Sequence, residues 1–189
     1  CADYVLQSEK GALVSNLSSS RALADLANNY GVDYHASPVG EVHVVAKMKE
    51  VKAVIGGEGN GGVILPTLHY GRDALVGIAL FLSHLAKEKI SVSALKARYA
   101  SYVMDKKKIE LSPSWDADAL LAAVAKTFAD ARVTTIDGVK IDFDDSWIHL
   151  RKSNTEPIIR LYGEAKTQDK MNDKINKIEA AIAAFVASA

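Results

Sequence analysis

The chain has 189 residues, 49% hydrophobic and 24% charged, proportions of a folded globular chain rather than a disordered one, at a length that permits one large or two small domains. Its 23 Lys and Arg balance 23 Asp and Glu, which removes the global positive field that non-specific nucleic-acid or anionic-membrane binding requires. The one cysteine, Cys1, allows no internal disulfide and no thiolate cluster, which fits a reducing cytoplasm, and no apolar stretch reaches the ~20 residues that span a bilayer.

Residues 1–6 read as the middle of an apolar-faced helix without an N-cap, so the chain is expected to be part of a longer one. Residues 12–14 predict a buried strand, Ser18-Ser-Ser20 an N-cap cluster opening a helix to about Tyr30, and residues 32–35 a second strand. Pro38 is expected in the first turn of a helix through Met48, and residues 52–55 form a third strand that ends in glycines. The βαβαβ order argues for a parallel sheet covered by helices, with ligands at the carboxyl ends of its strands. Asp73 then caps an apolar helix to about Leu85, and Ser91 opens another to about Tyr99.

Near Ala100 the pattern changes, and two domains are expected, 1–99 and 100–189. Residues 102–111 predict a strand and 116–129 a helix. Residues 133–135, 140–143 and 147–151 then predict consecutive strands, joined by turns at Asp137-Gly138 and Asp144-Asp145-Ser146. A strand over 157–162 and a helix over about 167–186 complete an α+β half with an antiparallel sheet. Lys106-Lys-Lys108 reads as a charged edge, and Trp115 and Trp147 as core residues.

Two loops carry chemistry. In Gly56-Gly-Glu-Gly-Asn-Gly-Gly62 the glycines let a ligand approach the backbone, while Glu58 can accept two hydroxyl protons and Asn60 can donate and accept, which suits a polyol. In Arg151-Lys-Ser-Asn-Thr-Glu-Pro157 a guanidinium can fork onto phosphate, Ser153 and Thr155 supply hydroxyls, Asn154 an amide, and successive N–H groups an anion nest; Arg160 follows. Taken one at a time, each loop also reads as a ligand-free turn. The five histidines show no i, i+4 pair that would hold a metal, and Asp142-Phe-Asp-Asp145 reads as a solvated turn.

These two loops, in this order and at this separation, resemble the C-terminal half of the α-D-phosphohexomutases, the phosphoglucomutase, phosphomannomutase and phosphoglucosamine mutase group. Further resemblance runs through Val14-Ser-Asn-Leu-Ser-Ser-Ser-Arg21, Pro38-Val-Gly-Glu41, Tyr70-Gly-Arg-Asp73 and Asp137-Gly-Val-Lys140. The resemblance implies a three-layer α/β domain with a mixed or parallel sheet, the third of four, and a TATA-box-binding-protein-like α+β fourth domain. It implies a cytoplasmic enzyme that moves a phosphoryl group between the 1- and 6-positions of a hexose phosphate. Glu58 and Asn60 would read the sugar, and Arg151, Ser153, Asn154 and Thr155 would grip the phosphate that is not reacting.

The phosphoserine donor and the Mg²⁺ loop of the family lie in its first two domains, and their Thr-x-Ser-His-Asn and Asp-x-Asp-x-Asp-Arg patterns have no match in these residues. The chain alone is therefore expected to have no catalytic residue, no metal and no turnover, its partners being a hexose phosphate and the missing N-terminal domains. A stand-alone phosphosugar-binding module and a two-domain scaffold are the alternatives. Gly62 stands where many members have His, and Asn60 where they have Ser, as in archaeal-type and related bacterial variants, which leaves the identity of the sugar open.

Overall fold

The computed structural model describes every residue except Ser114, Asn154 and Ala189. It divides into two units, Cys1–Ser101 and Tyr102–Ala189. The first contains α1 (Ala2–Leu6), β1 (Leu13–Asn16), α2 (Ala22–Tyr30), β2 (Tyr34–Ser37), α3 (Glu41–Val51), β3 (Ile55–Gly57), β4 (Val63–Ile64), α4 (Ala74–Glu88) and α5 (Val92–Lys96). Its sheet runs β2-β1-β3-β4, with β1 parallel to both β2 and β3 and β4 antiparallel to β3. The sheet is thus mixed. Strand β1 is buried along its whole length, as a central parallel strand must be when helices cover both faces. Leu13 packs with Val5, Leu6 and Ala27 from α1 and α2, while its neighbour Val14 points the other way, onto Val44 and Met48 of α3.

Several boundaries differ from the sequence expectation for local reasons. Helix α3 starts at Glu41 rather than at Pro38, because Gly40 takes φ 124° at the N-cap and the proline stays outside the helix. Lys52 belongs to a helix end, not to a strand. It adopts the left-handed conformation (φ 52°), the Ala53 N–H returns to the Met48 carbonyl at 2.9 Å, and the strand begins only at Ile55. Lys89 ends α4 in the same way (φ 54°). In the serine cluster Ser20 serves α2, its Oγ accepting from the Ala22 N–H at 3.2 Å. Asp73 and Ser91 cap α4 and α5 as expected, accepting from the N–H groups of Val76 and Ala94.

The second unit contains β5 (Val103–Glu110), α6 (Ala117–Thr127), β6 (Arg132–Thr134), β7 (Val139–Asp142), β8 (Ser146–Lys152), β9 (Ile158–Ala165) and α7 (Gln168–Ser188). Its antiparallel sheet runs β5-β9-β8-β7-β6, which puts the Lys106-Lys-Lys108 strand on an edge. Period-two alternation divides this sheet. Ile141, Ile148, Leu150, Ile159 and Leu161 meet Leu120, Leu121 and Val124 of α6 and Met171, Ile175 and Ile178 of α7, each buried aliphatic side chain contributing about 1.5–3 kcal/mol. The opposite face carries Lys140, Trp147, His149, Arg151, Arg160, Tyr162 and Glu164 in cross-strand register. Trp147 is buried, but on this polar face, where its indole N–H donates to Glu164 Oε1 at 3.1 Å and the Lys140 ammonium lies over its ring. No described helix is long and apolar enough to cross a membrane.

Candidate functional site

In the first unit the chain leaves β1 toward β2 on one side and returns to β3 on the other, so the crevice beyond the carboxyl ends of β1 and β3 is the topological switch point. Asn16 ends β1 and Glu58 follows β3, and they meet across this crevice, the Asn16 Nδ2 amide donating to Glu58 Oε1 at 3.0 Å. Asn16 is fixed in turn, its Oδ1 accepting from the Ser18 N–H at 3.1 Å and the Ser19 hydroxyl at 2.9 Å. A cavity of about 240 Å³ opens beside Glu58, lined in part by Ser15, Ser19, Ser20 and Gly59.

The other Glu58 oxygen is also taken. Arg72 Nη1 sits 3.2 Å from Oε2, while Arg72 Nε and its backbone N–H donate to the two oxygens of Glu41 at 2.8 and 2.9 Å. These bonds, the backbone N–H first, hold the Glu41 carboxyl below the ordinary carboxylate range. The Glu58 side chain is only 5% exposed, whereas that of Arg72 is 44% exposed. The carboxylate read from sequence as an open hydroxyl acceptor is therefore mostly enclosed, and the arginine is the more accessible group. Asn60 spends its Oδ1 on the Gly62 N–H at 3.1 Å, an Asx turn that leaves its amide group to donate. Gly62 has no room for a side chain, since a Cβ there would come within 2.5 Å of Arg72 Cδ. Glu41, Asn60 and Arg72 border a second hollow of about 500 Å³.

Sequence reasoning missed Asn16, Glu41 and Arg72 as members of this cluster. All three lie within the segments that carry the family resemblance, but nothing in their spacing says that they converge on Glu58.

In the second unit the loop that carries Ser153 and Thr155 joins β8 to β9. Arg151 and Arg160 pair directly across these strands, and Arg160 pairs with Lys108 of β5, so three cations form one cross-strand row. Like charges in direct opposition repel, and the row is stable only with anionic partners. Glu156 supplies one, with Oε2 at 3.2 Å from Arg160 Nη2 and Oε1 at 3.2 Å from Lys108 Nζ. Asp137 supplies another, Arg151 Nε lying 3.3 Å from Oδ1 and 3.2 Å from Oδ2.

Ser153 Oγ is the loop's collecting point. It accepts from the N–H groups of Thr155 and Glu156 at 3.4 and 3.3 Å and from Arg160 Nη2 at 3.4 Å. These bonds are long, and they aim two backbone donors and a guanidinium at one spot, as an anion site requires. The Ser153 N–H is not among the inward donors, because it is tied to the Ile158 carbonyl at 3.0 Å. Asn154 lies outside the described residues.

Among the described residues no three His, Cys, Asp or Glu side chains gather as ligands for the magnesium that the family resemblance implies.

Residues 1–102 match the family described as phosphoglucomutase/phosphomannomutase, alpha/beta/alpha domain III, and residues 100–182 match its C-terminal domain. The phosphoglucosamine/phosphogalactosamine mutase of Sulfurisphaera tokodaii is 34% identical over 88% of this chain and 37% of its own length. The phosphoglucomutase/phosphomannomutase of Thermococcus kodakarensis is 36% identical over 91% of this chain and 38% of its own length. The chain thus spans less than half the length of these relatives. A phosphoglucomutase/phosphomannomutase family protein from Burkholderia thailandensis shares the fold, with a TM-score of 0.80 over 97% of this chain and 40% of its own, at 24% identity. With both units accounted for by consecutive domains of one family, the chain belongs to the phosphoglucomutase/phosphomannomutase family, of which it carries domain III and the C-terminal domain.

Proposed function

We propose that the chain is the substrate-binding half of a phosphohexomutase that moves a phosphoryl group between the 1- and 6-positions of a hexose phosphate. Arg151, Ser153, Asn154 and Thr155 hold the phosphate that is not reacting, with Arg160 beside them. Glu58 and Asn60 read sugar hydroxyls together with Arg72, the accessible member of their cluster. The observation that carries this reading is the row Arg151, Arg160, Lys108 at the mouth of a loop whose N–H groups converge on Ser153 Oγ. The relatives' names supply the hexose phosphates, among them phosphoglucosamine, phosphomannose and phosphoglucose.

These 189 residues contain no segment matching the family's serine nucleophile, without which the covalent phosphoryl carrier is lacking, so the chain alone turns over no hexose phosphate. Phosphate binding survives in it, because the ligands come from one short segment. Without the rest of the enzyme the affinity is in the millimolar range, about −4 kcal/mol.

Backbone amide NMR of the chain, titrated with inorganic phosphate and then with glucose 6-phosphate, tests the assignment. Ser153 and Thr155 shift with both ligands, and the residues around Glu58 shift only with the sugar phosphate. Arg151→Lys keeps the charge, loses the planar fork and weakens both ligands about ten-fold. Glu58→Gln weakens only the sugar phosphate. A different loop saturating while Ser153 and Thr155 stay still would refute the assignment.

A further inference from the structure

We propose that Asp137 is the positioning residue of the Arg151 grip, holding the guanidinium edge-on so that its Nη side faces an incoming phosphate; this rests on the reading of the Arg151 loop given above. An unrestrained arginine at a strand end samples many rotamers, and directly opposite Arg160 it is driven to those that point away. The Asp137 carboxylate prevents this by holding Nε, with both oxygens within 3.3 Å. No described residue bonds to either Nη, so the two terminal nitrogens that match a phosphate edge are left to the ligand. The pair is semi-enclosed, the two side chains being 22% and 18% exposed, and is screened less than an open surface pair.

Asp137 can act this way because its own turn is pinned from two sides. His149, fully buried in the middle of β8, lies with Nε2 2.6 Å from the Asp137 carbonyl oxygen. A carbonyl only accepts, so the proton sits on Nε2 and the imidazole holds the turn down. The next residue, Gly138, has φ 65°, and a Cβ on it would lie 2.1 Å from the Leu150 carbonyl oxygen and 2.8 Å from Arg151 Cα. The turn is therefore pressed against the backbone of the residue whose side chain it steers. His149, Asp137, Gly138 and Arg151 make one mechanical unit, and two of them lie in the Asp137-Gly138 hairpin signal that the loop chemistry had not used.

A positioning carboxylate and a competing one predict opposite signs. If Asp137 merely neutralised Arg151 until phosphate displaced it, removing it would tighten phosphate binding. As a positioning residue it does the reverse. Asp137→Ala is expected to weaken inorganic phosphate binding about three- to ten-fold, by the ordering of one long side chain. Asp137→Asn, which keeps an acceptor for Nε without the charge, restores part of the loss. In an Arg151→Ala background, Asp137→Ala has no further effect.

The experiment is NMR titration of the 189-residue chain with inorganic phosphate, following the Ser153 and Thr155 amides and the Arg151 Nε–H, with the Trp147 indole N–H as the reporter of an intact second unit. In Asp137→Ala the Arg151 Nε–H exchanges faster with water while the indole signal persists. Unchanged or tighter binding in both Asp137 variants overturns the inference and leaves the phosphate site standing. Absence of any phosphate-dependent shift at Ser153 and Thr155 in the unaltered chain overturns both together.

Discussion

Glu58 and Arg151 are each held by other side chains, but the holders come from very different distances along the chain. Glu58 depends on Asn16, 42 residues earlier, and on Arg72, which is itself bonded to Glu41, 31 residues away. Arg151 depends on Asp137, 14 residues earlier on the neighbouring hairpin, and it opposes Arg160 on the next strand. The first site exists only once a parallel sheet has closed, since a parallel crossover brings distant strand ends together. The second needs only two antiparallel hairpins. A site assembled from remote segments fails when any segment shifts, whereas a hairpin site fails when its own turn is spoiled.

That contrast can be broken at the turn first. Gly138→Ala combines a positive φ with a Cβ that has no space, and it is expected to destabilise the second unit by about 3 kcal/mol. Both tryptophans, Trp115 and Trp147, lie in that unit, so tryptophan fluorescence in a urea titration follows it selectively. The matching change at Gly61, where φ is 93° but nothing lies within 4 Å, incurs the backbone strain alone, about 1 kcal/mol, and leaves the tryptophan transition in place. Equal effects at the two glycines would deny the difference between the loops.

Next in size is Asn16→Ala. It removes a buried amide that satisfies Glu58, the Ser18 N–H and the Ser19 hydroxyl, for about 2 kcal/mol in the first unit. Circular dichroism should register the loss while the tryptophan signal does not. An Asn16→Ala chain as stable as the original would mean that Glu58 is not held from β1.

The smallest effect is one of pH. Burial lowers the His149 pKa from its ordinary 6.5, so at pH below that value the unfolded chain binds a proton that the folded one resists. The stability due to neutral His149 is complete above pH 6.5 and is lost as pH falls from there through the depressed folded value. Urea midpoints followed by tryptophan fluorescence between pH 7.5 and about 5 should decline, and His149→Gln should flatten the decline. A slope unchanged in His149→Gln would assign it to another group.

What the sequence made legible follows the same division. The hairpin turn at Asp137-Gly138, the edge lysines and the closing helix α7 are patterns of period two, of 3.6 or of a few adjacent residues, and they lie where local chemistry puts them. The alternation of strand and helix in the first unit was equally readable, with ends displaced by three residues where Gly40 and Lys52 set the turns. Strand β4 was not readable, since the two residues Val63 and Ile64 are too few to display a period. The Glu58 cluster was invisible for a deeper reason. A salt link between Arg72 and Glu41 leaves no trace in either segment alone, because it is a product of the crossover.

Lys52 and Lys89 both sit in left-handed backbone at the ends of helices, a conformation that costs a side-chain-bearing residue about 1 kcal/mol and a glycine almost nothing. The first unit therefore holds an unclaimed reserve. Replacing either lysine with glycine should raise the urea midpoint of that unit, to the extent that relief of strain exceeds the added freedom of the unfolded chain. A reserve of this kind is mutational tolerance: it would let the first unit absorb a destabilising change in its Glu58 loop without losing the fold that displays it.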